Sequence, residues 1–374
     1  MRWAFWGAAA LIAYTYAGYM GWLWLRSRWR PVPVQSGTMA PFVSIVMVVR
    51  DEERVLEAKI ENLLELDYPP ERMELVLVSD GSTDRTEAIL HEHARNPRVL
   101  TVLKQLSRGK ASGLNDALEI AHGEIVIFTD ARQKVEPGAM RVLLEKFADP
   151  QVGCVSGELM LGDPNAGEKS QGMGLYWRIE KKVRELESAS GSVVGATGAF
   201  YGVRRELVTD IPEGTILDDV YVPMQVVRLG KRVIFEPGAR AWDSPNQGAN
   251  REFSRKVRTL SGNYQLLEMA PWLLSSANPL RFRFVSHKLL RLVVPFALIV
   301  IFAASLGLPG ALYRAVLWLQ LAFYGLSLAA FVRMPRHGLL ARVADAACTF
   351  VLLNTAALVA FGNFVSGRRV AWSR

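Results

Sequence analysis

The sequence contains little cysteine and no repetitive segments. Only two cysteines, Cys154 and Cys348, occur among its 374 residues. This excludes a disulfide framework and a cysteine-based metal cluster, and it indicates a reducing compartment. Internal repeats and low-complexity tracts are absent, which excludes a solenoid and a long biased tail. Half of the residues are hydrophobic. Long segments without charged residues occur only near the two ends of the chain.

The first uncharged run, residues 3–25, is long enough for a membrane-spanning helix of about 20 residues. A cleaved signal peptide is the alternative, but the run is too long for one and no small-x-small cleavage site precedes Arg26. We therefore predict a retained transmembrane anchor at residues 1–30. An extended, proline-containing linker is predicted at residues 31–41.

Three further apolar segments near the C-terminus predict a membrane region of about three spans within residues 285–365. They are residues 289–308, 311–332 and 339–364. A buried hydrophobic hairpin of a soluble domain is the alternative for one such segment. Three in series favour the membrane.

The formal charge of +8 is concentrated beside these apolar segments. Arg26, Arg28 and Arg30 follow the first segment, and a second basic cluster precedes the next. This second cluster comprises Arg281, Arg283, His287, Lys288 and Arg291. By the positive-inside rule both flanks are cytoplasmic, so we predict an integral protein of the cytoplasmic (plasma) membrane with its middle section in the cytoplasm. Because the charge flanks the membrane segments, we expect no nucleic-acid partner.

The arginines at the C-terminus disagree with this topology. Three spans after a cytoplasmic section place the C-terminus outside, whereas Arg368, Arg369 and Arg374 favour the inside. An interfacial position for one of the three segments would remove the disagreement. The side of the C-terminus is therefore left open.

Between the membrane segments, short apolar strands alternate with amphipathic helices in a domain predicted at residues 42–270. The first strands are predicted at residues 43–49, 75–78, 99–103 and 125–129. Helical patterns of about 10 to 15 residues separate them, which predicts a mainly parallel sheet with helices on both faces. The pattern changes after Val152, and a basic helix at residues 251–267 precedes the membrane region.

Acidic residues follow several of these strands. Asp130 ends the strand at residues 125–129, and Asp80 follows the strand at residues 75–78. Ligands of open α/β sheets bind at the carboxyl edge of the strands, where such residues meet. A carboxylate there either binds ribose and base or holds a divalent cation that carries a diphosphate. For Asp80, an Asp-Gly turn with a helix cap is the alternative.

Two further motifs belong to the same edge by their position. Lys110 follows Gly109 at the start of a predicted helix, where a phosphate would meet both the lysine and the helix dipole. A solvated surface lysine is the alternative. Asp218 and Asp219 head a later helix, where a carboxylate could activate a sugar hydroxyl as a general base. The alternative is a helix cap that complements the dipole.

In their order along the chain, these motifs resemble the family-2 glycosyltransferases with the GT-A fold. The similar branch is membrane-embedded and includes the synthases of cellulose, hyaluronan and poly-N-acetylglucosamine. The motifs are residues 43–53, Asp80-Gly81-Ser82, Arg108-Gly109-Lys110 with Leu114-Asn115, Thr129-Asp130, and Leu217-Asp218-Asp219. The fold class that this resemblance implies is α/β: a mainly parallel GT-A sheet flanked by helices, with transmembrane helices at both ends.

The resemblance also implies an activity: inverting transfer of a sugar from a nucleotide-sugar, usually a UDP-sugar, to a polysaccharide or lipid-linked acceptor. Glu52, Asp80 and Lys110 would contact the nucleotide. Asp130 would stand at the first position of the Asp-x-Asp motif, which touches ribose and a divalent cation, Mg²⁺ or Mn²⁺. Asp219, with Asp218 beside it, would stand at the general-base position.

Two departures from the family pattern concern the cation and the acceptor. Position 132 is Arg instead of the second Asp, and because an arginine cannot ligate a cation, the divalent cation is left uncertain. Arg132 is predicted to assist the diphosphate, with a solvent-pointing loop arginine as the alternative. The Gln-x-x-Arg-Trp motif of processive members is replaced by RKVRT at residues 255–259, in which Lys256 and Arg258 retain positive charge for the diphosphate.

Gly198 belongs to a small-residue segment, residues 195–199, that resembles the segment where an acceptor sugar approaches the backbone. A tight sheet edge is the alternative. Since the Gln and Trp of the family motif are missing, processivity, the acceptor and a polysaccharide export partner stay open. The rival function is a non-catalytic, degenerate transferase-like subunit of a polysaccharide synthesis complex. Arg132 favours that reading, and the ordered acids Asp80, Asp130 and Asp219 oppose it.

Overall fold

The protein, a computed structural model, is described over residues 1–162, 175–243, 249–332 and 339–368. Within these ranges eight strands form one mixed sheet. The strands are β1 Val43–Val49, β2 Met73–Asp80, β3 Val99–Lys104, β4 Ile125–Thr129, β5 Lys134–Val135, β6 Val152–Leu161, β7 Phe200–Arg204 and β8 Arg232–Asp243. The α-helices are α1 Arg2–Ala13, α2 Tyr19–Trp29, α3 Leu56–Leu64, α4 Thr86–His93, α5 Lys110–Ile120, α6 Ala139–Leu144, α7 Leu175–Ala189, α8 Asp218–Arg228, α9 Ala249–Met269, α10 Arg281–Phe284, α11 Leu290–Gly307, α12 Ala311–Val332 and α13 Leu339–Val365.

The strand order across the sheet is β3-β2-β1-β4-β7-β6-β8-β5. The first four strands are parallel: Val43 of β1 pairs with Met73 of β2 and with Ile125 of β4. Strand β7 runs antiparallel to β4 and β6, and β8 runs parallel to β6. The predicted mainly parallel sheet is confirmed. The small residues at positions 195–199 lie before the first residue of β7, Phe200.

Helices cover both faces of the sheet, which explains why its central strands are apolar throughout. All seven residues of β1 are buried. Because side chains alternate between the two faces of a strand, Val46 packs on one side with Leu114 of α5. Ile45 packs on the other side with Ile60 of α3. The parallel strands β1, β2 and β4 therefore end at one edge, between two helical layers, and this edge carries the predicted site.

Three C-terminal helices are long and apolar enough to cross a membrane. They are Arg281–Gly307, Ala311–Phe331 and Ala341–Val365, and they coincide with the three predicted apolar segments. The first contains α10, a π-helical turn at Val285–Leu289 and α11. Arg369 and Arg374, on which the side of the C-terminus depends, lie outside the described residues.

The N-terminal helices α1 and α2, joined by a π-helical turn at Tyr14–Gly18, are not among these three candidate spans. Their sequence is less apolar because it contains several tryptophans and tyrosines. Phe5 of α1 packs against Ile301 and Ala304 of α11, and its ring centroid lies 4.9 Å from that of Tyr313. The N-terminal helices thus contact the C-terminal candidate spans, and a membrane anchor there stays a prediction.

A buried group of charged residues joins α2, α7 and the first C-terminal candidate span. The ring of His287 lies between two glutamates of α7: its Nδ1 is 2.9 Å from Glu187 Oε1 and its Nε2 is 2.9 Å from Glu180 Oε1. Arg291 donates to Glu180, and the Tyr19 hydroxyl donates to Glu187. Buried charges are stable only when paired and hydrogen-bonded. We infer that this group docks the helices onto the sheet domain.

Candidate active site

Most of the predicted site residues meet at the carboxyl edge of the parallel strands. Asp80 is the last residue of β2, and Asp130 directly follows β4. Lys110 begins α5, after Gly109 in a left-handed conformation with φ of +93°. Asp218 and Asp219 begin α8. The chain therefore brings these acids and this lysine to one place from four different elements.

Lys110 joins two of the acids directly. Its Nζ donates to Asp130 Oδ1 at 2.9 Å and to Asp218 Oδ2 at 3.1 Å. Burial opposes the charge on Lys110, but Asp130 and Asp218 outweigh it, so the pKa of Lys110 lies above its usual range. Lys110 is therefore a permanent cation, held between the two carboxylates rather than solvated at the surface.

The pKa of Asp219 is raised towards neutral pH. Burial, followed by the charge of Asp218, raises the pKa of Asp219 to about 6, while Lys110 and Lys288 act to lower it. A carboxylate with this pKa is ionised at neutral pH and is more basic than an ordinary Asp, as a general base requires.

Gly198 lies between the carboxylates of Asp130 and Asp219. A Cβ atom added to Gly198 would lie 3.2 Å from Asp130 Oδ2 and 3.7 Å from Asp219 Oδ2. The neighbouring Ala196 N–H donates to the Asp219 carbonyl at 2.7 Å. The small-residue segment thus passes directly beside the acids, and a side chain at Gly198 would enter the space between them.

Asp80 is fully buried, and its carboxylate holds the loop that leads to Lys110. Its Oδ1 accepts from Arg108 N at 2.9 Å, and its Oδ2 accepts from Gly109 N at 2.9 Å and from Ser107 Oγ at 2.6 Å. Asp80 therefore does more than cap a turn: both of its oxygens already bond to the 107–109 loop. The predicted contact between Asp80 and the nucleotide stays a prediction.

Arg132 is paired with Glu52. Its Nη2 lies 2.9 Å from Glu52 Oε1, and its Nε donates to both oxygens of the same carboxylate. The guanidinium is about one-third exposed. Arg132 is thus not a loop arginine that points freely into solvent, and it connects the acidic loop after β1 to the turn that carries Asp130.

Lys256 and Arg258 of α9, both predicted to serve the diphosphate, point in different directions. Burial lowers the pKa of Arg258, and the nearby carboxylates of Asp218, Asp130 and Asp219 act in the opposite direction. Lys256 instead lies over aromatic rings of α7, with its Nζ 5.2 Å from the ring centroid of Trp177. Residues two positions apart on a helix face nearly opposite sides. The structure therefore brings Arg258 into the site and does not bring Lys256 there.

The residues at this edge could hold a divalent cation through one protein ligand, Asp130. In the described part of the chain no cluster of three or more His, Cys, Asp or Glu side chains could hold a metal ion alone. Asp130 bonds to Lys110 through Oδ1, while its Oδ2 faces the space beside Gly198. A site with one carboxylate plus the phosphates of a substrate is common for Mg²⁺.

Lys59 is a site residue that the sequence analysis missed. It is buried on the inner face of α3, and its Nζ donates to Thr129 Oγ1 at 2.9 Å and to the Gln133 carbonyl at 2.6 Å. Burial lowers the pKa of Lys59 to about 7, against the raising effect of Asp130. The sequence could have shown this, because Lys59 lies on the apolar face of an amphipathic helix. A lysine buried there needs polar partners.

Comparison with known proteins indicates the class of protein to which the domain is similar. Residues 44–211 match the family described as "Glycosyl transferase family 2". The poly-beta-1,6-N-acetyl-D-glucosamine synthase of Staphylococcus aureus (strain COL) is 26% identical over 234 residues, covering 60% of this chain and 55% of the relative. That of Staphylococcus epidermidis is 24% identical over 239 residues, covering 62% and 56%. The chain thus spans about half the length of these curated relatives.

A solved structure shares the fold over nearly the whole chain. The mannosyltransferase from Pyrobaculum calidifontis, in complex with GDP-mannose and Mn²⁺, superimposes with a TM-score of 0.75 at 23% identity, covering 96% of this chain and 98% of that one. Residues 44–211 are therefore a glycosyltransferase domain similar to family 2, the chain has the GT-A fold, and three C-terminal helices are able to cross a membrane. Asp218, Asp219 and α9 lie beyond the matched residues 44–211, so their place in the site rests on the geometry above.

Proposed function

We propose that this glycosyltransferase moves a sugar from a nucleotide-sugar, most simply a UDP-sugar, to a polysaccharide or lipid-linked acceptor with inversion. The transfer takes place at the cytoplasmic face of a membrane. One observation carries the proposal: Asp219, a carboxylate with a pKa of about 6, stands beside Asp130 and Lys110 at the ligand-binding edge of the sheet.

The reaction needs one general base for the acceptor and positively charged side chains near the leaving diphosphate. Asp219 takes the proton from an acceptor hydroxyl as the hydroxyl oxygen forms a bond to the anomeric carbon of the donor. The bond between that carbon and the diphosphate oxygen breaks on the opposite side, which inverts the configuration. Lys110 and Arg258 supply positive charge towards the nucleoside diphosphate as it leaves.

Asp130 is the residue that would hold Mg²⁺ or Mn²⁺ through Oδ2, with the diphosphate as the other ligand. When bound, the cation neutralises charge that develops on the leaving group. Arg132 occupies the position of the missing second carboxylate and is proposed to supply part of the same charge. Its pairing with Glu52 keeps the guanidinium beside the site before the donor binds.

Two observations support a membrane-adjacent acceptor. Basic residues flank the candidate spans on the side of the sheet domain, which favours the cytoplasmic face. The relatives named above are synthases of a polysaccharide, and we propose a glycan or a lipid-linked sugar as the acceptor. A polysaccharide product would need an export partner or a channel built from these spans.

The experiment is release of nucleoside diphosphate by the full-length protein in lipid nanodiscs, from a panel of UDP-, GDP- and ADP-sugars. Magnesium, manganese or a chelator is present, and total lipid extract is added as acceptor. Asp219→Asn is compared with Asp67→Asn, which changes an exposed acid away from the site. Release from one donor that is lost only in Asp219→Asn is the expected result. No release from any donor would favour the non-catalytic subunit.

A further inference from the structure

The acid loop, residues 209–217, connects β7 to α8 and ends at the acids Asp218 and Asp219. Its tip is exposed at Glu213 and at Gly214, which adopts a left-handed φ of +77°. An exposed loop is mobile unless its backbone groups are bonded to rigid elements. The position of Asp219 therefore depends on what holds this loop.

Asn115 of α5 holds the first part of the acid loop. Its Oδ1 accepts from Ile211 N at 2.9 Å, and its Nδ2 donates to the Ile211 carbonyl at 2.9 Å. One side-chain amide thus bonds both backbone groups of a single residue, as a neighbouring strand would. Since Asn115 lies on the helix that Lys110 begins, this contact ties the acid loop to the donor side of the site.

Gln265 of α9 holds the second part of the acid loop in the same way. Its Oε1 accepts from Ile216 N at 2.9 Å, and its Nε2 donates to the Gly214 carbonyl at 2.8 Å. Helix α9 also lies very close to the loop, because a Cβ atom added to Gly262 would be 2.6 Å from Leu217 Cγ. Only a glycine allows this approach without a shift of either element.

Helix α9 rests in turn on the last candidate span, α13. The ring of Tyr264, next to Gln265, stacks on the ring of Phe364 with centroids 5.1 Å apart, and its centroid lies 6.1 Å from that of Phe361. Consecutive residues of one helix therefore contact the acid loop on one side and a membrane-candidate helix on the other.

We propose that Gln265 is a positioning residue: it holds the acid loop so that Asp219 stands in place for proton abstraction, and it does so from a helix seated on α13. This inference rests on the proposed function of Asp219. Asn115 and Gln265 bond to different parts of the loop, so the position of the loop depends on both α5 and α9. A displacement of a reacting group by 1 Å costs about 100-fold in rate.

The test compares Gln265→Met, which keeps the side-chain length and removes both hydrogen bonds, with Glu268→Met, an exposed position one turn further along α9. Gln265→Glu keeps the acceptor for Ile216 N and lacks the donor for Gly214, so an intermediate effect is expected. Hydrogen–deuterium exchange of the acid loop is measured in the full-length protein in nanodiscs. Exchange at Ile216 should rise about tenfold in Gln265→Met.

Steady-state kinetics provide the second readout. Gln265→Met should lower kcat about 10- to 100-fold with little change in the donor KM, because the loop leads directly to the base and not to the residues proposed to contact the donor. The acid limb of the pH–rate profile should also move to lower pH, since a looser loop exposes Asp219 to water. Glu268→Met should match the wild type in all three measurements.

The outcomes separate this inference from the proposed function. Unchanged loop exchange in Gln265→Met, or kcat and the acid limb unchanged while exchange rises, overturns the positioning role. Loss of kcat together with global destabilisation in thermal unfolding, in both Gln265→Met and Gln265→Glu, assigns Gln265 a merely structural role and also overturns it. Full activity of Asp219→Asn would instead refute the proposed function, whatever the exchange of the loop shows.

Discussion

Lowering the pH should inactivate the enzyme through protonation of Asp219. The pKa of this carboxyl is raised to about 6, first by burial and then by the charge of Asp218. A base with that pKa is roughly nine-tenths ionised at pH 7 and roughly one-tenth ionised at pH 5. An ordinary Asp, with a pKa of about 4, would still be mostly ionised at pH 5. We therefore expect kcat to fall about tenfold between pH 7 and pH 5.

Two substitutions test the electrostatic cause. Asp218→Asn removes the negative charge beside Asp219, which lowers the pKa of Asp219 and moves the acid limb of the profile to lower pH. Lys110→Met removes a positive charge that lowers this pKa, so the limb should move to higher pH. Shifts of the acid limb in opposite directions in the two variants would show an electrostatic effect. General damage to the fold would lower the activity of both variants without shifting the limb in opposite directions.

The assay is the initial rate of nucleoside diphosphate release at saturating donor, across about pH 4.5 to 8.5 at constant ionic strength. Constant ionic strength matters because charge interactions near the surface are screened by salt. An acid limb near pH 4, or a limb that stays in place in Asp218→Asn, would refute the reasoning. The base would then be a different group, or proton abstraction would not limit the rate.

Three other predictions address the 107–109 loop, the divalent cation and the buried charged group around His287. Asp80→Asn should lower stability by about 1–3 kcal/mol and raise the donor KM, because an amide N–H would face loop donors that a carboxylate now accepts; thermal unfolding and donor titration measure these effects. Arg132→Ala should lose activity most strongly at low magnesium, as measured by nucleoside diphosphate release along a magnesium titration. His287→Leu should cost about 3–5 kcal/mol, because two buried glutamates each lose one of their partners; chemical denaturation in detergent measures this loss.

Each of these predictions has a matched control or a contradicting result. Ser107→Ala removes one of the three bonds to Asp80 and should have a smaller effect than Asp80→Asn. Retained or increased activity of Arg132→Ala at low magnesium would contradict assistance to the diphosphate. Asp67→Asn breaks an exposed ion pair and should cost less than about 1 kcal/mol. If His287→Leu also cost less than about 1 kcal/mol, this result would contradict the docking role of His287.

Much of the architecture was predictable because it depends on local patterns. Buried parallel strands need continuous apolar runs, so β1 and β4 were found nearly at their observed bounds. An acid directly after such a strand lies at the carboxyl edge whatever the rest of the chain does. Asp80 and Asp130 were predicted at this edge because each follows a strand, and Lys110 and Asp219 were predicted there because each stands at the start of a helix. The three C-terminal candidate spans followed from length and apolar composition.

The partners of these residues were decided only by tertiary structure. Lys110 bonds to Asp218, 108 positions along the chain, and no pattern in the sequence relates two residues so far apart. Arg258 faces the acids while Lys256 faces α7, because the phase of α9 against its neighbours sets the direction of each side chain. The same packing places Gln265 against the acid loop. Local sequence determines which element a residue occupies, whereas the docking of elements determines which atoms it reaches, because that docking is a property of the whole core.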